Sequence, residues 1–344
     1  MALGFALSAL LLESSRTYAF ETDQLSERNV NPLDSSERIN SYANKFLEEC
    51  RVKTNEDIQD AWFDWSDEKI SDKFRKCVFK ANPFSFHYFG ARVEVWMRTD
   101  LENHGYAVGS GSDKEKNIYG DFRSAYHFFH PWHPSPLVFE FARLVSGELS
   151  SPTFVSKEIR FGADKLSHLF RLGYKYWDKS DRGLNDADAI HFGTKTELGM
   201  LGRRGIGVFS YADLSANYSG YLFYKNMIAS VEDPAWLTHT FHYGIVWNIG
   251  KNLPQIELIR AFNLADYATQ DWDEYLNPSV YVPSLQRSVT QHLQEHRLEI
   301  CSQFKDWKSS NATPLKPLRE KPQYVDLAIA PPQVDPFKVE ALCE

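Results

Sequence analysis

The chain has little cysteine, little methionine and no long apolar run beyond its first residues. Four cysteines in 344 residues, with no Cys-x-x-Cys pair, exclude a zinc ribbon and a dithiol redox motif. Away from the N-terminus, no stretch approaches the eighteen or more uninterrupted apolar residues of a membrane-spanning helix. There is no run of Lys and Arg, and the net charge is −8, which argues against nucleic-acid binding. Gly-x-Ser-x-Gly, Walker-type and Gly-x-Gly-x-x-Gly signatures are missing as well, which removes the commonest nucleophile and phosphate-loop chemistries. Aromatics are abundant. Their 15% share suits a thick core and also suits a cleft with flat stacking surfaces.

The first twelve residues form an apolar segment of signal-peptide length, and Thr17-Tyr18-Ala19 resembles a small-x-small cleavage site. Residues 1–19 are therefore expected to be a signal peptide, and the rest an exported protein at most peripheral to a membrane. Cys50, Cys77, Cys301 and Cys343 then suit two disulfides. Three connectivities are possible. Cys50–Cys77 with Cys301–Cys343 is favoured, because each bridge would tie down a terminal region.

Helical periodicity dominates. Asp34-Ser-Ser-Glu37 reads as a capping box before a helix using Ile39, Ala43, Phe46, Leu47 and Cys50. Thr54 or Asn55 is expected to cap a second helix, and residues 67–80 a third. Residues 92–97 alternate like a strand, and 103–120 read as a loop. Further helices are expected over 136–146, 156–178, 185–201, 210–230 and 284–304. Residues 232–280 give no clear assignment. Beyond 309 the chain is rich in proline and is expected to run extended. The expected class is mainly α: one multi-helix globular domain over 20–308 with minor β, followed by an extended proline-rich segment over 309–344.

Two motifs carry the chemistry. Asp164-Lys-Leu-Ser-His168 precedes Gly173, and Asp213-Leu-Ser-Ala-Asn217 precedes Gly220. Polar residues four apart share one helix face, and each glycine allows a neighbouring helix to come close. A carboxylate beside an imidazole orients it and raises its basicity, as a general base or metal ligand requires. Asp164 is expected to orient His168, with Asp213 as a second acid and Asn217 as a neutral donor. Glu197 lies between the motifs, and Lys165 is expected on another face. A buried network that locks helices in register explains the same pattern without any activity.

The stretch from Ile159 through Tyr174, with Asp164-Lys-x-x-His168, resembles a motif of exported bacterial proteins of unknown function. Gly207-Val-Phe-Ser210-Tyr-Ala-Asp213-Leu-Ser-Ala-Asn217-Tyr-Ser-Gly220 resembles the second motif of the same group. A related Asp-Lys-x-x-His pattern occurs in VanZ-like membrane proteins, but Lys165, Arg171, Lys175 and Lys179 set this chain apart from a lipid-embedded helix. The resemblance covers residues 155–230. It implies a bacterial envelope setting, periplasmic or outer, and marks Asp164, His168, Asp213 and Asn217, but implies no reaction.

Other constellations compete. His127, His130 and His133 are spaced by three among prolines and suit zinc or copper, with Asp121 as an added ligand. His292-Leu-Gln-Glu295-His296 has the inverted-zincin pattern without its distant third ligand. His239 and His242 form a weaker pair, and Glu140 is an acid in an apolar run. Three expectations follow. The first is a hydrolase using Asp164, His168, Asp213, Asn217 and Glu197 on an envelope glycan or lipid. The second is a non-catalytic envelope scaffold or a binder of glycan or partner protein. The third is a hydrolase dependent on a divalent metal such as zinc.

Overall fold

A computed structural model describes residues 24, 32–60, 67–81, 101, 104–108, 153–199, 202–203, 207–230, 245–248, 255–258, 260–302 and 339–343. Helices dominate these residues, and the strands are short. The expected strand at 92–97, the helix at 136–146, the signal segment and most of the proline-rich stretch lie outside them.

Helix α1 (Ser36–Asp60) and helix α2 (Asp67–Ala81) form a hairpin closed by the Cys50–Cys77 disulfide. The start of α1 differs from a capping box. The Asp34 carboxylate accepts the Ser36 backbone N–H at 2.8 Å and also holds the Lys157 N–H at 3.0 Å. These contacts and the Lys157 charge outweigh the effect of burial and keep the Asp34 carboxyl below its usual range. One acid thus caps a helix and anchors it to a distant hairpin. No second helix starts at Thr54 or Asn55, because α1 runs through both. The Asn55 amide instead pairs with both backbone groups of Ile256, at 2.7 and 2.9 Å, and the Asn44 amide does the same with Phe262 at 2.6 and 3.0 Å. These amides act as surrogate strand partners for the chain passing over α1.

Strand β1 (Ala107–Val108) pairs with β2 (Thr153–Ser156), and β2 with β3 (Ile159–Gly162), all antiparallel. Lys157 and Glu158 both adopt positive φ in the two-residue turn between β2 and β3. The helix expected from 156 therefore begins only at Asp164. Helix α3 (Asp164–Ser167) passes through a π-helical segment (His168–Leu172) into α4 (Gly173–Lys179). Then come α5 (Asp186–Leu198), β4 (Val208–Phe209), α6 (Tyr211–Asn226) and β5 (Ile228–Ser230). Strand β6 (Ile245–Asn248) lies parallel to β5 and antiparallel to β7 (Gln255–Leu258). Two 3-10 turns, Leu264–Asp266 and Gln270–Trp272, lead to β8 (Val280–Tyr281), which pairs with β4. Helix α7 (Pro283–Glu295) follows, and α8 (Val339–Cys343) lies near the chain's end. The Cys301–Cys343 disulfide holds α8, so the expected extended segment closes on a helical turn.

Helix α6 is buried nearly all round, polar residues included, and lies at the centre of the fold. It crosses α4 at paired glycines. A Cβ on Gly173 would lie 2.4 Å from Gly220 Cα, and one on Gly220 would lie 2.0 Å from the Leu169 carbonyl oxygen. The close approach anticipated at these two glycines is therefore present. Beyond the crossing, the rings of Phe46, Phe170, Phe223, Phe262 and Tyr267 meet largely edge to face, forming the aromatic centre of the core.

Candidate active site

The two motifs meet where α3 and the π-helical segment lie against the first turns of α6. Ser210 starts α6, and its hydroxyl accepts the Asp213 backbone N–H at 3.1 Å. That cap aims the first turn of α6, so Asp213 and Asn217 face the neighbouring helix one turn apart. On the other side, the Gly173 N–H bonds to the His168 carbonyl, five residues back, which marks the π turn. Such an extra residue within a helix changes where the following side chains point, and it recurs at functional sites.

His168, only 2% exposed, lies between Asn217 and Asp213. Its Nδ1 is 2.9 Å from Asn217 Oδ1, and the Asn217 Nδ2 donates to the Tyr176 hydroxyl at 2.9 Å. With the amide oxygen facing it, Nδ1 is the donor of this pair. Nε2 lies 3.2 Å from Asp213 Oδ2 but has no hydrogen bond. Distance alone would suggest an ion pair. The contact is close, but it lies off the line of a hydrogen bond. Asp213, rather than Asp164, is therefore the carboxylate beside the ring.

Lys165 is the largest departure from expectation. It is fully buried, with Nζ at 2.6 Å from Asp164 Oδ2, 2.5 Å from Asp213 Oδ1 and 2.7 Å from Glu274 Oε1. Helical spacing places its Cβ on a different face from those of Asp164 and His168. The four-carbon stem nevertheless carries the ammonium to acids on three segments, and periodicity tracks Cβ rather than the tip of a side chain. Lys165 is also no mark of a solvated helix face.

Glu274 carried no motif signal. It lies in the turns between the 3-10 segment Gln270–Trp272 and β8, and its backbone N–H donates to Gln24 Oε1 at 3.2 Å. Burial pushes its carboxyl up and the Lys165 ammonium pulls it back, while the Asp164 and Asp213 charges push it further, leaving it at about 8. Glu197, in α5, is also buried. Burial and then the Asp213 charge raise its carboxyl well above the usual range, against the pull of the Ser210 backbone N–H and Lys165. Asp213 goes the other way. Burial works to raise it, but the His168 and Lys165 charges and the hydrogen bonds from Lys165 and Ser210 hold it below the ordinary value. At neutral pH the site thus combines an ionised Asp213, the Lys165 ammonium and a protonated Glu274, with Glu197 shifted in the same direction as Glu274. Separating acids in this way lets one site hold both a proton donor and a charge stabiliser.

Asp164, His168 and Asp213 each offer a ligand atom, all within 4.8 Å of one another, and they form the one such group among the described residues. One imidazole and two carboxylates could hold a divalent metal. The Lys165 ammonium already bonds to both carboxylates, so an ion would have to compete with it.

The structure brings together Asp164, His168, Asp213, Asn217 and Glu197. His127, His130, His133, Asp121, Glu140, His239 and His242 lie outside the described residues. The His-x-x-Glu-His pattern does not stand on one regular helix: α7 stops at Glu295, and His296 lies in a turn. Among the described residues, no helix is long and apolar enough to cross a membrane. The two disulfides are compatible with an exported protein. No family model matches the chain, and no curated protein or solved structure is significantly similar to it.

Proposed function

We propose that the protein is a hydrolase of the bacterial cell envelope, acting on an envelope glycan or lipid through the buried pair His168 and Asp213. The observation that carries this reading is the unpaired His168 Nε2, held beside an ionised carboxylate by a ring whose other nitrogen is fixed through Asn217 and Tyr176. Nε2 takes a proton from water as the water oxygen bonds to the electrophilic carbon or phosphorus of the substrate. Asp213 stabilises the imidazolium that forms. Glu274, held protonated, gives its proton to the leaving oxygen as that bond breaks. The imidazolium proton then restores Glu274, and the Lys165 ammonium keeps the site's negative charge in check throughout. The envelope setting is supported by the apolar N-terminal segment, the two disulfides and the resemblance of both motifs to those of exported bacterial proteins.

A second reading is favoured by one observation: Asp164, Lys165, His168, Asp213, Asn217, Glu197 and Glu274 are each at most 4% exposed. A network so closed suits a non-catalytic envelope scaffold or binding protein, in which it fixes helix register. The two separate on turnover of fractionated envelope glycans and lipids by wild type, His168→Gln and Glu274→Gln, with melting temperature as control. The hydrolase reading expects a folded His168→Gln protein whose rate falls at least about a hundredfold. Absence of turnover by wild type, with melting lowered in both variants, sinks it in favour of the scaffold. Elemental analysis of untagged protein covers the metal-dependent form. One equivalent of zinc, lost in His168→Ala, would replace the metal-free mechanism with a metal-bound one.

A further inference from the structure

The hairpin of α1 and α2 carries a second feature, unrelated to the buried network. Between its helices lies an open groove of about 660 Å3. Five lysines contribute to its lining (Lys53, Lys69, Lys73, Lys76 and Lys80) against three acids, Glu49, Asp57 and Asp72. Two of those acids are already engaged: Asp57 pairs with Lys73 at 2.8 Å, and Asp72 with Arg182 at 3.0 Å. Positive charge is therefore in excess here, on a chain whose net charge is −8.

The arrangement is built rather than accidental. Lys69, Lys73, Lys76 and Lys80 recur at intervals of four, three and four, which puts them along one face of α2. Lys53 comes three residues after Cys50, and Lys80 three after Cys77. The disulfide joining those cysteines holds the two backbones 5.6 Å apart at Cα, so lysines from both helices are fixed around one point. Thr54 also lines the groove. It is 1% exposed, and its hydroxyl has no hydrogen-bond partner, although a helical threonine can bond back to a carbonyl of the preceding turn. A buried, unsatisfied hydroxyl in a lysine-lined groove is a donor without an acceptor.

We infer that this groove binds a small, multiply charged phosphate compound, with Lys53, Lys76 and Lys80 supplying charge and the Thr54 hydroxyl donating to one phosphate oxygen. Ammonium groups act as point charges towards phosphate and need no bidentate geometry, which suits lysines arriving from two helices. The volume lies in the range of small-ligand sites. The groove's mixed charge and modest size favour a compact ligand over an extended polyanion. The site is independent of the proposed hydrolase activity.

The test is titration calorimetry with inorganic tripolyphosphate on the full disulfide-bonded protein. Alongside it run the Lys53→Gln/Lys76→Gln/Lys80→Gln triple variant, Thr54→Val, citrate, and vesicles of phosphatidylglycerol and phosphatidylcholine. Saturable one-to-one binding of tripolyphosphate is expected, weakened at least about tenfold in the triple variant as charge is removed. Thr54→Val keeps the shape and removes the donor, and is expected to weaken binding about threefold to tenfold, as for one lost hydrogen bond. All three lysines are exposed, so the triple variant should melt like wild type. Absence of saturable binding, or equal affinity in the triple variant, overturns the inference. So does citrate binding as tightly as tripolyphosphate. Binding to the anionic vesicles without binding of tripolyphosphate would also overturn it, and would make the face a membrane contact.

Discussion

Gly173 and Gly220 touch across the crossing of α4 and α6, and no side chain fits on either. Gly220→Ala would put its methyl 2.0 Å from the Leu169 carbonyl oxygen and 2.8 Å from Gly173 Cα. Both obstacles are backbone, so rotamer changes cannot relieve them and the helices must separate. A loss of about 3 kcal/mol or more is expected. Urea denaturation of the variant measures it, and a loss below about 1 kcal/mol would mean the crossing can shift without much cost.

The Lys165 ammonium bonds to Asp164, Asp213 and Glu274 together. Lys165→Met keeps much of the volume and strips the charge, leaving buried carboxylates uncompensated. Destabilisation of about 3–5 kcal/mol at pH 7 is expected. It should shrink at pH 5, because buried acids without their cation take up protons more readily. A loss that is the same at both pH values would argue against a charge origin.

Stability should fall as pH rises from about 5 to 8. Glu274 titrates at about 8 in the folded protein, against 4.5 as its ordinary value. Between those values the folded state holds a proton that the unfolded state has released, so raising the pH favours unfolding. Glu197, also raised, acts in the same direction. Asp213 is lowered, so its contribution is lost only in stronger acid and does not offset the trend in this window. Melting temperature measured across pH 5–8 should decline, and Glu274→Gln should flatten the slope. An unchanged slope in that variant would remove Glu274 as its source.

The Cys50–Cys77 bridge spans 27 residues of chain and joins the two helices of the hairpin. Loop-closure entropy puts its contribution at about 3–4 kcal/mol. Cys50→Ser/Cys77→Ser should lower the unfolding free energy by that order in calorimetry. A change under about 1 kcal/mol would show that the buried faces of α1 and α2 hold the hairpin without it.

Much of the fold could be read from periodicity, because α2, α5 and α7 each keep one pattern along their length, while α6 was marked by its motif and its Ser210 cap. The disulfide pairing followed from where the cysteines lie. Two errors share one cause. The stretch 156–163 carries residues that suit a helix, yet pairing with Thr153–Ser156 turns Ile159–Gly162 into a strand. Thr54 and Asn55 are good caps, but tertiary pairing of Asn55 with Ile256 drew the helix through them. In both, a distant partner overrode local preference. At the site, the spacing of Asp164, His168, Asp213 and Asn217 revealed which residues meet. It hid Lys165, whose tip lies far from its Cβ, and Glu274, which sits in turns that no periodicity marks.

The Cys301–Cys343 bridge closes a covalent ring that includes the whole proline-rich stretch. A protease that cuts once anywhere inside this ring releases nothing, because the fragments stay joined through sulfur. The nick becomes visible only after reduction. The segment can therefore be clipped without shortening the molecule, and two cuts, or one cut and a reductant, are needed to free any part of it.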